Sequence, residues 1–219
     1  MDNEPTYNQL INRITELESK LAKTEWLLEK ESRISDEPYT PYYGDITELN
    51  SERTILDNVG KQTLNSLTSE LMDLLDTSVA IYEKNGDFAF GIFNSGWCQL
   101  LDAASRKLCN TKNNATALKC GKWLCHEDCW AVSKSSILSK KTEDRECVCG
   151  LKLLAEPIFN GDEVVGSINI GYGNPPTVDA TLLTLAKKFN IEFETLKQKS
   201  EEYKPRPDFI IEIANFLPC

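Results

Sequence analysis

The residues best suited to chemistry in this sequence are its cysteines. The chain of 219 residues contains eight, and all but Cys219 lie between Cys98 and Cys149. Clustered thiols can bind zinc or an iron–sulfur cluster, act as a redox sensor, or line an apolar core or pocket. A disulfide framework is disfavoured, because the N-terminus has no apolar secretory signal and cytosolic thiols are kept reduced.

The spacing of the cysteines predicts which sulfurs meet. Cys125 and Cys129 are four residues apart and share a face if their segment is helical. Cys147 and Cys149 would point the same way at the start of a strand. No C-x-x-C pair occurs, so the usual spacing of a zinc ribbon is missing. The candidate metal ligands are Cys98, Cys125, Cys129 and Cys147, with Cys120 as an alternate, and packing of the thiols in a core stays open as the other interpretation.

The other reactive side chains of this segment are given structural roles. His126 is the only histidine in the chain, and we predict that it is an exposed helix residue. Without a second histidine or a recognisable catalytic constellation, we expect a protein that is not an enzyme. Asp128 is predicted to cap or brace the segment.

A sheet must position the cysteine-rich segment. The stretches 79–93 and 155–172 each alternate in a strand pattern around an Asn-Gly pair, at Asn85-Gly86 and Asn160-Gly161. Each predicts an antiparallel hairpin with a type I′ turn. Residues 97–141 form a helical insert between the hairpins, and helices are expected over 51–75 and from 177 to about 203. The fold class is therefore α+β, an antiparallel sheet of four or five strands of the PAS or GAF type with a cysteine-rich insert.

The N-terminal segment has the heptad spacing of a coiled coil. Its a and d positions are Tyr7, Leu10, Ile14, Leu17, Leu21, Thr24 and Leu28. The g residues Arg13 and Lys20 face the e residues Glu18 and Glu25 of a parallel partner, which favours a homodimer through residues 7–28. An amphipathic helix packed on its own domain is the alternative. We divide the chain into a coiled-coil helix (1–33), a linker (34–50), a sensory domain (51–176) and C-terminal helices with a connector (177–219).

Charge and hydropathy exclude several partners. The net charge is −10 and no basic face is apparent, so nucleic acid and anionic membrane surfaces are disfavoured. No apolar run reaches the length of a spanning helix, and with no export signal we expect a cytoplasmic protein.

The motifs of the central region resemble the PocR sensory domain, a PAS-like family of prokaryotic signalling proteins. The resemblance covers about residues 62–175. It is carried by Trp97-Cys98-Gln99-Leu100-Leu101, Cys125 with Asp128, Glu146-Cys147 with Gly150, Glu156-Pro157-Ile158 and Val165-Gly166-Ser167-Ile168. Val148-Cys149-Gly150 departs from the family pattern after Cys147, in a loop that the resemblance places near the ligand.

The resemblance implies a domain that senses small hydrocarbon derivatives such as short diols. Aromatic walls beside the cysteines suit such a ligand. The candidate ligand-binding residues are Trp97, Cys98, Trp123, Cys125, Cys147 and Gly150. We expect a histidine kinase or a transcriptional regulator as the signalling partner. Two alternatives stay open, a metal- or iron–sulfur-containing redox or gas sensor on the same fold, and a dimerising scaffold with a vestigial pocket.

Overall fold

The centre of the molecule is a five-stranded antiparallel sheet. The structure is a computed structural model that describes residues 6–33, 40–75, 78–93 and 95–203. The strands are β1 (Ser78–Glu83), β2 (Phe88–Phe93), β3 (Glu143–Glu146), β4 (Lys152–Asn160) and β5 (Glu163–Tyr172). Their order is β2-β1-β5-β4-β3, which is compatible with a PAS-like sheet. The predicted α+β class and both predicted hairpins are confirmed.

Helices precede, interrupt and follow the sheet. Within the described residues they are α1 (Tyr7–Arg33), α2 (Thr54–Val59), α3 (Lys61–Leu75), α4 (Gly96–Lys107), α5 (Asn114–Ala117), α6 (Leu124–Ser139), α7 (Asp179–Phe189) and α8 (Phe193–Glu201). Helices α4 to α6 form the predicted insert between β2 and β3. Of the helices in the described ranges, none is both long and apolar enough to cross a membrane.

The two faces of the sheet contact different helices. Successive residues of β1 point to opposite faces, so Val79 and Ile81 pack with residues of α2 and α3, including Ile55 and Leu64. On the other face, Ala80 and Tyr82 pack against the insert. The insert therefore covers the face of β1 that carries Ala80 and Tyr82, and all five β1 residues from Val79 to Glu83 are buried.

A buried carboxylate ties β1 to α2. Glu83 is fully buried and accepts hydrogen bonds from the backbone N–H groups of Ile55 (2.8 Å) and Leu56 (3.1 Å). The side-chain amide of Asn50 donates a third, at 3.0 Å. The first backbone N–H groups of a helix have no partner within it. Glu83 supplies that partner for α2 from the neighbouring strand.

The predicted type I′ turns are wrong. Type I′ geometry needs a positive φ at both central residues, but Asn85 and Asp162 do not have one, whereas Gly86 and Gly161 do. Gly86 has φ +97°, and a Cβ there would lie 2.8 Å from the indole of Trp130. The glycine is therefore needed both for the turn and for the approach of an insert side chain.

Helix α1 contacts the domain through the side opposite its heptad positions. Trp26 is buried and joins the cluster that contains Ile55, Leu56 and Leu64. The heptad residues Tyr7, Leu10, Ile14, Leu17, Leu21 and Leu28 are exposed. In this single chain, then, the apolar seam does not pack on its own domain.

Segments at the two ends of the domain are described in part. In the region predicted as a linker, Ile46 and Asn50 are buried against the domain. The predicted C-terminal helices are present as α7 and α8, and Leu182, Phe189 and Leu196 of these helices are buried. The predicted connector beyond residue 203 and Cys219 lie outside the described residues.

Candidate functional site

Thiols from three parts of the chain converge beneath the insert. The sulfurs of Cys125 and Cys149 are 3.4 Å apart, and Cys149 also hydrogen-bonds Cys147. Cys98 packs against the same apolar cluster, and Cys129 is close enough for these sulfurs to influence its charge. We name Cys98, Cys125, Cys129, Cys147 and Cys149 the inner thiols. Cys125 and Cys129 lie on α6 as predicted.

Cys147 and Cys149 meet for a different reason from the predicted one. They lie in the turn between β3 and β4, where the Gly150 N–H donates to the Cys147 carbonyl at 2.9 Å. The prediction that they begin a strand is wrong. The turn reverses the chain and brings both sulfurs under α6. The predicted brace is present, because a carboxylate oxygen of Asp128 accepts the Val148 N–H at 2.8 Å.

Two other predicted site residues have packing contacts around this turn. Trp97 is fully buried in the first turn of α4, and its indole N–H donates to the Cys149 carbonyl at 3.1 Å. Gly150 has φ +79°, and a Cβ there would lie 3.0 Å from Pro176. Both residues hold the turn in place on the side away from the sheet.

Burial and mutual hydrogen bonding control the charge of the inner thiols. Hydrogen bonds to Cys125 and Cys147, together with burial, hold the pKa of Cys149 well above its ordinary value. Burial also raises the pKa of Cys129 well above its ordinary value. Within the ranges that the structure describes, no group of three or more Cys, His, Asp or Glu has the arrangement of a metal site.

A second cluster, richer in polar groups, lies between the insert and the sheet. Tyr82 is at its centre, with its ring centroid 4.4 Å from that of Phe88 and 5.6 Å from that of Trp130. The ring of His126 is 5.8 Å from that of Trp123. We name this cluster the Tyr82 site, formed by Tyr82, Phe88, Asp102, Trp123, Cys125, His126, Cys129 and Trp130. Cys125 and Cys129 belong to both clusters.

Two polar atoms of the Tyr82 site have no hydrogen-bond partner among the described residues. They are the hydroxyl of Tyr82, which is fully buried, and Nδ1 of His126, whose side chain is 7% exposed. A buried polar group without a partner loses about 1–3 kcal/mol of solvation. His126 was predicted to be exposed, and that prediction is wrong.

Asp102 is the acidic group of the site. Its two carboxylate oxygens accept hydrogen bonds from the Tyr43 hydroxyl (2.5 Å) and the Trp123 indole N–H (2.8 Å). Arg106 is buried beside it, with its guanidinium 5.3 Å from the Trp123 ring centroid. Burial raises the pKa of Asp102 to about 6, although the hydrogen bonds from Tyr43 and Trp123 act to lower it.

Asp102 and His126 give the stability opposite pH dependences. Because the pKa of Asp102 rises from 3.8 to about 6 on folding, stability falls as the pH rises through that window. Burial lowers the pKa of His126 from 6.5 to about 4, so its contribution to stability falls as the pH drops.

Asp102→Asn should remove the pH dependence that Asp102 causes and leave that of His126. Between pH 6.5 and pH 4, the free energy of unfolding of this variant should therefore fall by up to about 3 kcal/mol more than that of the wild type. Urea unfolding at both pH values measures this, and equal losses in the two proteins would contradict it.

A cavity of about 300 Å³ lies elsewhere. It is at the C-terminal end of α4, where that helix meets the connection between α7 and α8, and Leu100, Leu108, Phe189 and Ile191 line it. None of the predicted ligand-binding residues contributes to it. The Cys125 and Cys149 sulfurs are in contact with each other, and none of the five inner thiols lines this space.

The predicted site residues therefore divide between two places. Trp97, Cys98, Cys147 and Gly150 lie around the turn between β3 and β4, Trp123 lies in the Tyr82 site, and Cys125 joins the two. Sequence reasoning missed Tyr82 and Asp102 as site residues. The alternation of β1 places Tyr82 and Ile81 on different faces of the sheet. Both faces are buried, so the sequence does not show which of the two faces the insert.

No protein-family model, curated protein or solved structure matches this chain.

Proposed function

We propose that this chain is a sensory domain that binds a small hydroxylated compound, such as a short diol, at the Tyr82 site. The observation that carries the proposal is the fully buried hydroxyl of Tyr82, which lies within an aromatic cluster and has no hydrogen-bond partner in the part of the chain that the structure describes. Small-molecule sites combine apolar walls with a few convergent polar groups. A ligand hydroxyl can accept from Tyr82 and bond to Asp102, while its carbon atoms contact Phe88, Trp123 and Trp130.

Binding requires α6 to separate slightly from the sheet, because the groups of the site are packed against one another. Two hydrogen bonds cross this interface, from Ser133 to Asn169 Oδ1 at 2.6 Å and from Asn169 to the Cys129 carbonyl at 2.8 Å. An apolar cluster of Val132 with Leu153 and Ala155 also joins α6 to the sheet. A buried polar group left without a partner costs about 1–3 kcal/mol, so water or the ligand has to take up these bonds when the helix separates from the sheet. A ligand that bonds only in the separated arrangement would shift the population toward it.

Strand β1 offers a direct route for the signal. Tyr82 lies on the insert face, and the next residue, Glu83, holds α2 on the opposite face. A displacement of Tyr82 would alter the position of the Glu83 carboxylate and hence of α2 and α3. Because Trp26 packs on the same cluster as α2 and α3, the change would reach α1 and a histidine kinase or transcriptional regulator as partner.

Ligand binding is tested by thermal unfolding with a series of short diols and alcohols. We expect a concentration-dependent rise in Tm with at least one diol. The same diol with both hydroxyls methylated lacks donor hydroxyls and should give no rise. A series without any rise would contradict the proposal and favour the scaffold with a vestigial pocket.

The metal- or cluster-containing sensor is the second candidate, favoured by the contact of Cys125, Cys147 and Cys149. Anaerobic purification with metal analysis and a visible spectrum tests it. Stoichiometric zinc, or iron with a charge-transfer absorption, would establish this candidate. A colourless, metal-free and folded protein would exclude it.

We further propose that a second copy of the chain covers the exposed seam of α1. The charges support this occupant, because Arg13 and Lys20 would meet Glu18 and Glu25 of a parallel partner. In the single chain both basic residues contact Glu16. Exposed pairs of this kind are weak, so exchanging them for contacts across the seam costs little.

The double substitution Leu17→Asp with Leu21→Asp is expected to convert a dimer into a monomer at low micromolar concentration. Both leucines are exposed at heptad positions, and charges there would have to be buried in the seam. Sedimentation velocity measures the change. Leu138→Asp with Leu183→Asp is the matched control, because these exposed leucines lie on α6 and α7. A dimer that persists in the first variant would place the interface elsewhere.

A further inference from the structure

Two further cysteines form a separate pair at the outer end of the insert. Cys109 follows α4, and Cys120 lies in the turn between α5 and α6. Each is half-buried. The Cys109 thiol donates to the Ala117 carbonyl at 3.6 Å, and the same carbonyl accepts the Cys120 backbone N–H at 3.2 Å, which brings the two residues together. Hydrogen bonding between the two thiols shifts their pKa values in opposite directions. These are the outer thiols. They are reachable from solvent to the same degree as the half-buried inner thiols, whereas Cys149 of the inner group is only 5% exposed.

The surroundings make the two outer thiols chemically unequal. The Cys120 sulfur accepts the Lys122 backbone N–H at 3.3 Å and also that of Trp123. Burial raises the pKa of Cys120, but the hydrogen bonds from Cys109 and from these two N–H groups outweigh burial and lower it. Burial and the hydrogen bond to Cys120 raise the pKa of Cys109 to about 12. The thiolate therefore forms on Cys120, with a protonated thiol beside it.

We infer that Cys109 and Cys120 are a modification site, at which hydrogen peroxide produces a reversible disulfide. The pair has the two parts that such a reaction needs, an accessible sulfur stabilised by N–H donors and a resolving thiol close to it. The ten residues between them include α5, which returns the chain so that both sulfurs lie at the entrance to α6.

The reaction balances with hydrogen peroxide as the oxidant. The Cys120 thiolate attacks one peroxide oxygen, the O–O bond breaks, and hydroxide leaves and takes the Cys109 proton to form water. The Cys109 sulfur then displaces hydroxide from the sulfenic acid on Cys120, which forms the S–S bond. That hydroxide takes the proton that Cys120 released earlier and becomes the second water. Two electrons pass from the sulfurs to the peroxide.

The inner thiols are the competing site for oxidation, because the Cys125 and Cys149 sulfurs are also in contact. Cys149 is almost inaccessible, and its hydrogen bonds to Cys125 and Cys147 together with burial keep its pKa high. Oxidation needs both a thiolate and access to the oxidant. Cys147 of the same group is half-buried, and hydrogen bonding with Cys149 and with backbone N–H groups lowers its pKa. Oxidation of the outer thiols before Cys147 is therefore the outcome that peptide mapping must show.

The disulfide would also affect the Tyr82 site, a consequence that rests on the proposed function. The backbone N–H of Trp123 bonds to Cys120, and the indole N–H of the same residue donates to Asp102. Drawing Cys120 toward Cys109 removes the acceptor of that N–H group and displaces Trp123. Formation of the disulfide itself does not depend on any ligand.

Peptide mapping of the full chain tests the inference. After limiting hydrogen peroxide and alkylation of the remaining thiols, trypsin should release residues 108–112 linked to residues 120–122, and dithiothreitol should separate them. A first disulfide among the inner thiols, or irreversible oxidation of Cys120 without a link, would overturn it.

Two single variants test the unequal roles. In Cys109→Ser the reaction should stop at the sulfenic acid, so that dimedone labels Cys120. In Cys120→Ser, dimedone should not label Cys109. Equal labelling in the two variants would contradict the assignment of Cys120 as the attacking sulfur. The mapping of the unsubstituted chain stands whether or not either variant folds.

Discussion

Glu83→Ala is expected to lower the free energy of unfolding by about 3 kcal/mol or more, because hydrogen bonds to a charged group contribute about 1.5–3 kcal/mol each. The substitution leaves the Ile55 and Leu56 N–H groups and the Asn50 amide without their acceptor in a fully buried position. It also removes the contact between β1 and the first turn of α2. Urea unfolding followed by circular dichroism measures the change.

Glu163→Ala is the matched control for this prediction. Glu163 is also on the sheet, but it is exposed and makes a single ion pair with Lys84 at 2.9 Å. Surface pairs of this kind contribute little, so the variant should remain within about 0.5 kcal/mol of the wild type. Similar losses in the two variants would show that Glu83 does not hold α2.

Tyr82→Phe is expected to stabilise the ligand-free protein and to abolish its response to diols. It removes a buried hydroxyl for which the described ranges offer no partner, so the free energy of unfolding should rise by about 1 kcal/mol. The same change deletes the proposed hydrogen bond to the ligand, worth about 1.5 kcal/mol or tenfold in Kd. Thermal unfolding with and without the diol that gives the largest shift measures both effects.

Tyr172→Phe separates the loss of a ligand contact from the loss of any tyrosine hydroxyl. Tyr172 is buried on β5, and its hydroxyl donates to the Asp144 carboxylate at 2.7 Å. This variant should lose about 1 kcal/mol of stability and retain the diol response. If Tyr82→Phe were destabilised in the same way, its hydroxyl would have a partner in the folded protein and the proposed site would fail.

Local periodicity was sufficient for most elements of this fold, although strand β3 was not predicted. The alternation from Val79 to Tyr82, the Asn-Gly pairs and the heptad of α1 predicted strands, hairpins and a helix that are present. The four-residue spacing of Cys125 and Cys129 also predicted their common face on α6. These patterns could be read from the sequence because each depends only on the backbone geometry of neighbouring residues.

The turn types and the reason why Cys147 and Cys149 meet could not be predicted in the same way. The sequence suggested a strand, but the chain reverses there, and the sulfurs approach Cys125 because Asp128 and Trp97 hold the turn from two sides. Those two residues are distant from the turn in sequence. Their contacts exist only after α4 and α6 have packed together.

The sequence by itself determined an α+β chain with a thiol-rich insert and an N-terminal helix whose heptad seam has complementary charges. Only the tertiary structure decided that His126 is buried, that Tyr82 faces the insert with no partner for its hydroxyl among the described residues, and that Cys109 and Cys120 share the Ala117 carbonyl. The physical reason is the distance along the sequence over which each kind of interaction acts. Helix and strand periods come from residues a few positions apart, whereas burial and hydrogen-bond pairing depend on which segments pack together, and a strand buried on both faces carries no pattern to distinguish them.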